Sequence, residues 1–262
     1  MEHAMGILPQ LILAMPFLLV LIGYLFAVIY SSRRYKPWPI YRTACWILGV
    51  LLALISVAGP LAERAHSDFT FHMIGHLLLG MLAPLLLVLA APITLLLRTL
   101  SIPKARRLAH FLRGRLSRLY THPVFASVLN IGGLWLLYTT ELFSMMHEHT
   151  LLHILIHFHV FAAGYLFTVS MIYTDPVAHR LSFLYRSIVL VLALAAHGIL
   201  SKFIYANPPA GIPVEQAERG GMLMYYGGDA VDVIIIFILC LQWYRAGRPR
   251  VSSRNSVAAQ TE

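Results

Sequence analysis

The sequence predicts an all-α polytopic membrane protein, built as a bundle of seven transmembrane helices. Of its 262 residues, 59% are hydrophobic and only 12% are charged, whereas a soluble domain would carry about a quarter charged residues. Apolar runs of roughly 20 residues, the length that crosses a bilayer as a helix, recur along the whole chain. The two cysteines, Cys45 and Cys240, form neither a thiol metal motif nor a disulfide framework.

No polar stretch is long enough to fold alone, so residues 1–245 are predicted to form a single transmembrane domain, followed by a disordered cytoplasmic tail at residues 246–262. The first apolar run is interpreted as a retained helix rather than a cleaved signal, because no positive segment precedes it. The predicted spans are Ile7–Tyr30, Tyr41–Pro60, Phe69–Pro92, Pro123–Tyr138, Glu148–Tyr173, Ser182–Tyr205 and Met222–Tyr244.

Glycine and proline mark where the spans are expected to bend or end. Gly75, Gly80 and Pro84 predict that the third span bends or packs closely on a neighbour. The stretch Asn207–Gly221 is rich in both residue types, so it is predicted to be a turn-rich connector ahead of the seventh span. The pair Gly227-Gly228 predicts an early interruption of that span.

Residues 98–120 form the one strongly basic segment and are predicted to be an amphipathic segment on the cytoplasmic surface. Seven basic side chains lie between Arg98 and Arg118, and leucine and phenylalanine side chains recur there at helical spacing. Such a segment lies on an anionic leaflet, so anionic lipid is the expected partner at Arg98–Arg118. The continuous apolar face argues against a nucleic-acid partner.

The distribution of lysine and arginine predicts the orientation. With seven spans, all but three of the 20 Lys and Arg residues fall on one side, and the exceptions are Arg64, Lys202 and Arg219. Positive charge in short loops stays on the cytoplasmic side. The N-terminus is therefore expected outside and the C-terminus in the cytoplasm.

The stretch His147–His159 carries five histidines in thirteen positions at the start of the fifth predicted span. On a helix His149, His153 and His157 lie at i, i+4 and i+8, and therefore on one face. The other two histidines point elsewhere. Burying unpaired imidazoles in lipid is costly, so this stripe is expected to find polar partners on other spans.

Counting residues from the predicted ends of the spans brings ligand-type side chains from four spans to one depth. At about 1.5 Å per residue, they fall in the outer half of the bilayer. Spans that carry two of them place both on one face, at i,i+4 for the histidine pairs and at i,i+3 for the aspartates. Imidazole and carboxylate are ligands of Cu(II), Zn(II) or Fe. The predicted metal ligands are His72, His76, His153, His157, His197, Asp229 and Asp232.

Structural roles compete with ligation for these groups. A membrane histidine such as His197 can serve only to hydrogen-bond a neighbouring helix, and Asp229 and Asp232 can orient histidines rather than bind the ion. Methionines near the outer ends of the spans can transfer Cu(I) or simply fill the core. Those methionines are Met73, Met81, Met145, Met146, Met222 and Met224. The histidines expected at the rim or exposed are His66, His147, His149 and His159.

Several of these residues resemble the signature of a known family. The stretch Phe71–Leu79, which reads FHMIGHLLL and is followed by Ala83-Pro84 and Ala91-Pro92, is similar to the caa3-type cytochrome c oxidase assembly factors, the CtaG family. The similarity extends to His122-Pro123 and to the histidine-rich fifth span. It covers about Tyr41–Tyr244.

This resemblance implies a multi-pass protein of the bacterial plasma membrane that helps to mature a haem-copper oxidase at its copper centre. His72 and His76 carry the family motif in this sequence. The resemblance further implies copper as the bound ion. The implied partners are the oxidase subunits, especially those that bear copper, and an extracytoplasmic copper donor.

Three functions stand as hypotheses. The leading one is a non-enzymatic assembly factor that passes copper from the outward-facing cluster to oxidase apoprotein. The second is a seven-helix intramembrane zinc hydrolase, with three histidines on zinc, an aspartate that activates water and an acyl-chain-sized cavity. The third is a membrane electron carrier that binds haem b through histidines on two facing helices.

Overall fold

The computed structural model describes residues 7–177 and 179–248, and the described residues contain helices and no strand. Most of the predicted tail, residues 249–262, lies outside the described residues. The helices are α1 (Ile7–Arg34), α2 (Ile40–Val57), α3 (Pro60–Ala65), α4 (Phe69–Leu77), α5 (Ala83–Leu89), α6 (Pro92–Thr99), α7 (Ile102–Leu112), α8 (Arg115–Tyr120), α9 (Pro123–Ser127), α10 (Gly133–Thr139), α11 (Leu142–Glu148), α12 (Thr150–Met171), α13 (Phe183–Ala206) and α14 (Val214–Gly247).

Within the described residues, six helices are long and apolar enough to cross a membrane, and the number rises to seven if one bent pair counts as a single span. That pair joins Pro123–Thr139 to Leu142–Glu148 at an angle of 79°. The predicted bundle of membrane helices is thus confirmed. The fourth predicted span, Pro123–Tyr138, corresponds to the first member of this pair, Pro123–Thr139.

The loops collect at two ends of the bundle. We call the end where α4, α12 and α14 begin the histidine end; there the Gln216 side chain accepts a hydrogen bond from the Phe69 backbone N–H at 2.9 Å. We call the opposite end the basic end. There the Asp175 carboxylate accepts hydrogen bonds from the backbone N–H groups of Ile93 and Thr94 and so caps the start of α6.

Most predicted spans agree with the observed helices to within a few residues at each end, but the seventh prediction is wrong at its start. Helix α14 begins at Val214, inside the stretch Asn207–Gly221 that was expected to be a connector. The helix also continues through Gly227-Gly228 without the predicted interruption.

The glycines near the start of α14 are packing positions rather than turn positions. A Cβ on Gly220 would lie 2.7 Å from the ring of Phe69, and one on Gly221 would lie 2.9 Å from the backbone oxygen of Ser201. Only a residue without a side chain permits α14 to approach α4 and α13 this closely. Composition alone does not separate this use of glycine from a turn.

The third and fourth predicted spans each contain one π-helical turn. These turns are Leu78–Leu82, between α4 and α5, and Val128–Gly132, between α9 and α10. The close packing expected near Gly80 is confirmed, because a Cβ on Gly164 of α12 would collide with the backbone oxygen of Gly80. Single π turns inside α-helices are frequent at functional sites.

The basic segment is divided into three short helices, α6, α7 and α8, rather than forming one continuous helix. Its apolar side chains Ile102, Phe111 and Leu116 are exposed. Exposed apolar side chains beside many arginines are typical of a segment that lies in a membrane interface.

Candidate metal centre

The predicted ligands come from four helices that pack around one polar interior. Helix α4 carries His72 and His76 one turn apart, and both are buried. His153 on α12, His197 on α13 and Asp232 on α14 are also buried. These groups are far apart in sequence. They come together because α14 packs against α4 and α13, and because α12 packs against the π turn that follows α4.

Three small cavities adjoin one another along these side chains. The inner cavity, about 20 Å³, is lined by His76, His197 and Asp232. The middle cavity, about 30 Å³, is lined by His72, His76 and His157. The mouth cavity, about 10 Å³, lies nearest the histidine end and is lined by His72 and His157 together with further histidines. Because a buried water needs roughly 10–15 Å³ of cavity volume, the mouth cavity has room for about one water or one ion, and the other two cavities have room for roughly one to three.

Shared side chains connect the three cavities into a row. His76 borders the inner and the middle cavity, and its ring centre lies 6.5 Å from that of His197. His72 and His157 border the middle and the mouth cavity. The ring centres of His153 and His157 are only 4.0 Å apart, which confirms that this i,i+4 pair shares a face. This row of imidazoles, which we call the histidine row, therefore runs from the histidine end into the bundle.

Several polar atoms in this row have no hydrogen-bond partner although they are buried. They include both ring nitrogens of His76, both ring nitrogens of His153, Nε2 of His197 and one carboxylate oxygen of Asp232. Buried polar groups are nearly always satisfied, and an unsatisfied one costs about 1–3 kcal/mol. Lone pairs and a carboxylate oxygen left open around ion-sized spaces fit a bound cation.

Hydrogen bonds fix the tautomer of one candidate ligand. The Nδ1 of His157 donates to the backbone oxygen of His153 at 2.9 Å. Its Nε2 is therefore free to bind a cation. Among the described residues, no three His, Cys, Asp or Glu side chains are placed to hold one ion together as they stand. Convergence on an ion requires the rings to rotate.

Two expectations about individual residues are not met. Asp229 and Asp232 do not share a buried face, because Asp229 is exposed and only Asp232 lines the inner cavity. His149 does not extend the helical stripe, because it precedes α12 in extended conformation and is exposed.

Comparison with known proteins identifies the family. The chain matches the model of the cytochrome c oxidase caa3 assembly factor family over residues 22–246. The protein belongs to this family. The resemblance seen in the sequence is thus confirmed, and it places the histidine row within a family of oxidase assembly factors.

The curated relatives that the chain matches are longer proteins. The chain is 27% identical to uncharacterised proteins of Mycobacterium bovis and Mycobacterium tuberculosis. Each alignment is 262 residues long and covers 92% of this chain and 40% of the relative. The chain is 28% identical to an uncharacterised protein of Mycobacterium leprae, in an alignment of 246 residues that covers 86% of this chain and 37% of that protein. The chain thus spans well under half the length of these curated relatives. No solved structure matches it.

Other polar residues border the same space but were not predicted. The Tyr138 hydroxyl forms a hydrogen bond with Nε2 of His72 at 3.0 Å and lines the middle cavity. Asn130 lines the inner cavity. Both π-helical turns reach this cavity, one through Gly80 and the other through Asn130. A lone asparagine within an apolar run was the available sequence signal for this second turn.

The mouth cavity also contains side chains that were expected only at the rim. His66 lies beyond α3 and His147 lies on α11, and their ring centres are 5.5 Å apart. Burial, together with the neighbouring His147, lowers the pKa of His66 below its usual value of 6.5. Met146 also lines this cavity and is fully buried. These residues complete a histidine-rich entrance above the predicted ligands.

Proposed function

We propose that the protein binds copper in the histidine row and delivers it to a haem-copper oxidase during assembly. The observation that carries this proposal is the set of buried, unpartnered ring nitrogens around three ion-sized cavities. The proposed ligands are His72, His76, His153, His157, His197 and Asp232; the exposed Asp229 lines none of the three cavities and is not among them. The π-helical turns beside the inner cavity support a site that is functional rather than only structural.

Copper fits the donor set and the family. Imidazole with one carboxylate binds Cu(II), Zn(II) and Fe, and the family description names an oxidase assembly step. The row can only deliver an ion if its binding is moderate. Rings that must rotate to converge on the ion would give such moderate binding, and the shared histidines would give a path between cavities.

The size of the cavities does not favour the two alternative functions. Pockets for a haem or an acyl substrate are about 300–1,000 Å³, whereas the cavities beside the histidine row measure about 20, 30 and 10 Å³. An intramembrane zinc hydrolase would also need room for its substrate next to the metal. A copper ion requires neither a haem-sized pocket nor room for an organic substrate.

The proposed orientation places the histidine end outside the cytoplasm. Among the described lysines and arginines, only Arg64, Lys202 and Arg219 lie at this end, and the others lie in or beside the basic end. In this orientation an extracytoplasmic donor supplies copper to the mouth cavity. The copper-bearing oxidase subunits receive it on the same side, and anionic lipid of the cytoplasmic leaflet contacts Arg98–Arg118.

The experiment measures copper in the purified full-length protein and oxidase maturation in cells. His76→Gln and His197→Gln each remove an imidazole from the inner cavity, and we expect both to lower bound copper and oxidase activity. His149→Gln is the matched control, since His149 is exposed and borders none of the three cavities. Wild-type copper and normal oxidase activity in both inner-cavity variants would refute the proposal. Tightly bound zinc or a Soret band in place of copper would instead favour an alternative function.

A further inference from the structure

The mouth cavity differs in chemistry from the rest of the row. It is lined by His66, His147 and His153 and by the thioether side chain of Met146, and no carboxylate borders it. The inner cavity, in contrast, includes the carboxylate of Asp232. Sulfur and neutral imidazole ligands without a carboxylate suit a soft monovalent cation such as Cu(I) better than a divalent ion.

Ring separations in the mouth cavity are those expected for imidazoles that share an ion. The ring centre of His66 lies 5.5 Å from that of His147 and 5.0 Å from that of His153. With metal–nitrogen bonds of about 2.0–2.1 Å, two imidazoles on a tetrahedral ion have ring centres roughly 5 Å apart. His66 and His153 lie face to face at 20°, so their rings need to rotate before both can direct a nitrogen at one ion.

The nitrogen atoms of the mouth cavity are available for ligation. The Nδ1 of His147 donates to the backbone oxygen of Phe143 at 2.9 Å, which leaves the lone pair on Nε2 free. The Nε2 of His66 and both ring nitrogens of His153 are buried without a hydrogen-bond partner. Three imidazoles therefore have nitrogens to offer around a space of about 10 Å³.

Three of the four donors lie outside the long helices, whereas His153 lies on α12. His66 follows the short helix α3, and Met146 and His147 lie on α11, which bends 79° away from the straight part of its span. The bend places the Met146 thioether and the His147 imidazole at the entrance of the row, where they line the mouth cavity together with His66.

We infer that the mouth cavity is a separate entry site for Cu(I), in which Met146, His66 and His147 join His153. The inference rests on the proposed function, because the ion is handed on through His72 and His157, which border both the mouth and the middle cavity. The transfer exchanges ligands one at a time and leaves the oxidation state of copper unchanged.

The test measures the affinity of the purified full-length protein for Ag(I), which has the charge and ligand preference of Cu(I), in competition with a chelator. Met146→Leu keeps the side-chain volume and removes the sulfur; His147→Gln removes an imidazole. Because losing an indirect partner of a metal already weakens binding by about 10–100-fold, we expect each change to weaken Ag(I) binding at least tenfold. The matched controls are the adjacent Met145→Leu and His149→Gln, whose side chains are exposed and do not line the cavity.

The outcomes separate this inference from the proposed function. Wild-type affinity for Ag(I) in both Met146→Leu and His147→Gln would overturn the entry site, and the proposed function would stand if His76→Gln still lost copper. Weakened Ag(I) binding in the mouth variants with unchanged controls supports the entry site. If these variants lose Ag(I) while oxidase maturation is normal in every variant, the entry site stands and the delivery function fails. Thermal unfolding of each variant verifies that it is folded.

Discussion

Gly228 of α14 is the position where a single methyl group should disturb the histidine row most directly. A Cβ there would lie 2.6 Å from Cε1 and 3.2 Å from Nδ1 of His197, whereas ordinary contacts lie at 3.4–4 Å. In Gly228→Ala the imidazole must therefore move by roughly 0.8 Å or rotate, since non-bonded atoms repel one another strongly inside their normal contact distance. A functional side chain tolerates a displacement of only about 0.5 Å.

Two opposing terms set the stability of this variant. Overpacking a filled interior costs about 1–3 kcal/mol, and alanine is better than glycine in a helix by about 0.8–1.0 kcal/mol. The net loss in unfolding free energy is then at most about 2 kcal/mol, so the variant folds. Its copper affinity should fall much further, by at least about tenfold, because a ligand has been displaced.

Copper affinity by chelator competition and thermal unfolding in detergent, measured on the same samples, test this expectation. Gly23→Ala is the control, because a Cβ on Gly23 of α1 meets no atom within 4 Å; it should keep full copper affinity and gain up to about 1 kcal/mol from helix propensity. Equal copper affinities in Gly228→Ala and Gly23→Ala would show that His197 does not bind the ion.

Three further predictions concern hydrogen bonding, a buried charge and pH. Tyr138→Phe removes the hydrogen bond to His72 and leaves its buried Nε2 unsatisfied, so the unfolding free energy should fall by about 1–3 kcal/mol; an unchanged melting temperature would contradict this. Arg186 is buried, donates to the last carbonyl of α12 and lies 4.0 Å from the centre of the Tyr173 ring. Arg186→Ala should therefore cost about 2–5 kcal/mol through the lost contacts and the cavity left behind, and a cost below about 1 kcal/mol in chemical denaturation would be inconsistent with that role. Burial lowers the folded-state pKa of His66 below 6.5, so the unfolded chain binds the proton more readily and stability is lost as the pH falls below about 6.5. His66→Gln should flatten the pH dependence of the melting temperature in that window, and an identical slope in both proteins would exclude the effect.

The spacing of histidines was sufficient to predict the pairs in the site. An i,i+4 pair shares a face on any helix, so His72 with His76 and His153 with His157 followed from local geometry. Their common depth followed from where apolar runs begin and end. Which face of α14 turns inward depends on packing with its neighbours, and this is why the exposed Asp229 could not be separated from the buried Asp232.

The entrance of the row could not be predicted because it depends on the path of the chain between spans. His147 and Met146 reach the mouth cavity only through the 79° bend before α11, and no local pattern fixes the direction of such a bend. Gly220 and Gly221 were interpreted as turn residues, although they permit close packing inside α14. The local signals for the two π turns are Gly80 in the first and Asn130 in the second, and neither residue distinguishes a π turn from a regular helix.

The central claim is that histidines from separate spans meet around a copper ion. The most direct measurement is a structure of the copper-soaked full-length protein with anomalous scattering recorded at the copper edge. We predict anomalous density in the row, within bonding distance of ring nitrogens of His76 and His197 or of the histidines nearer the mouth. Copper found only elsewhere on the protein, or none at concentrations that load the protein in solution, would contradict the claim.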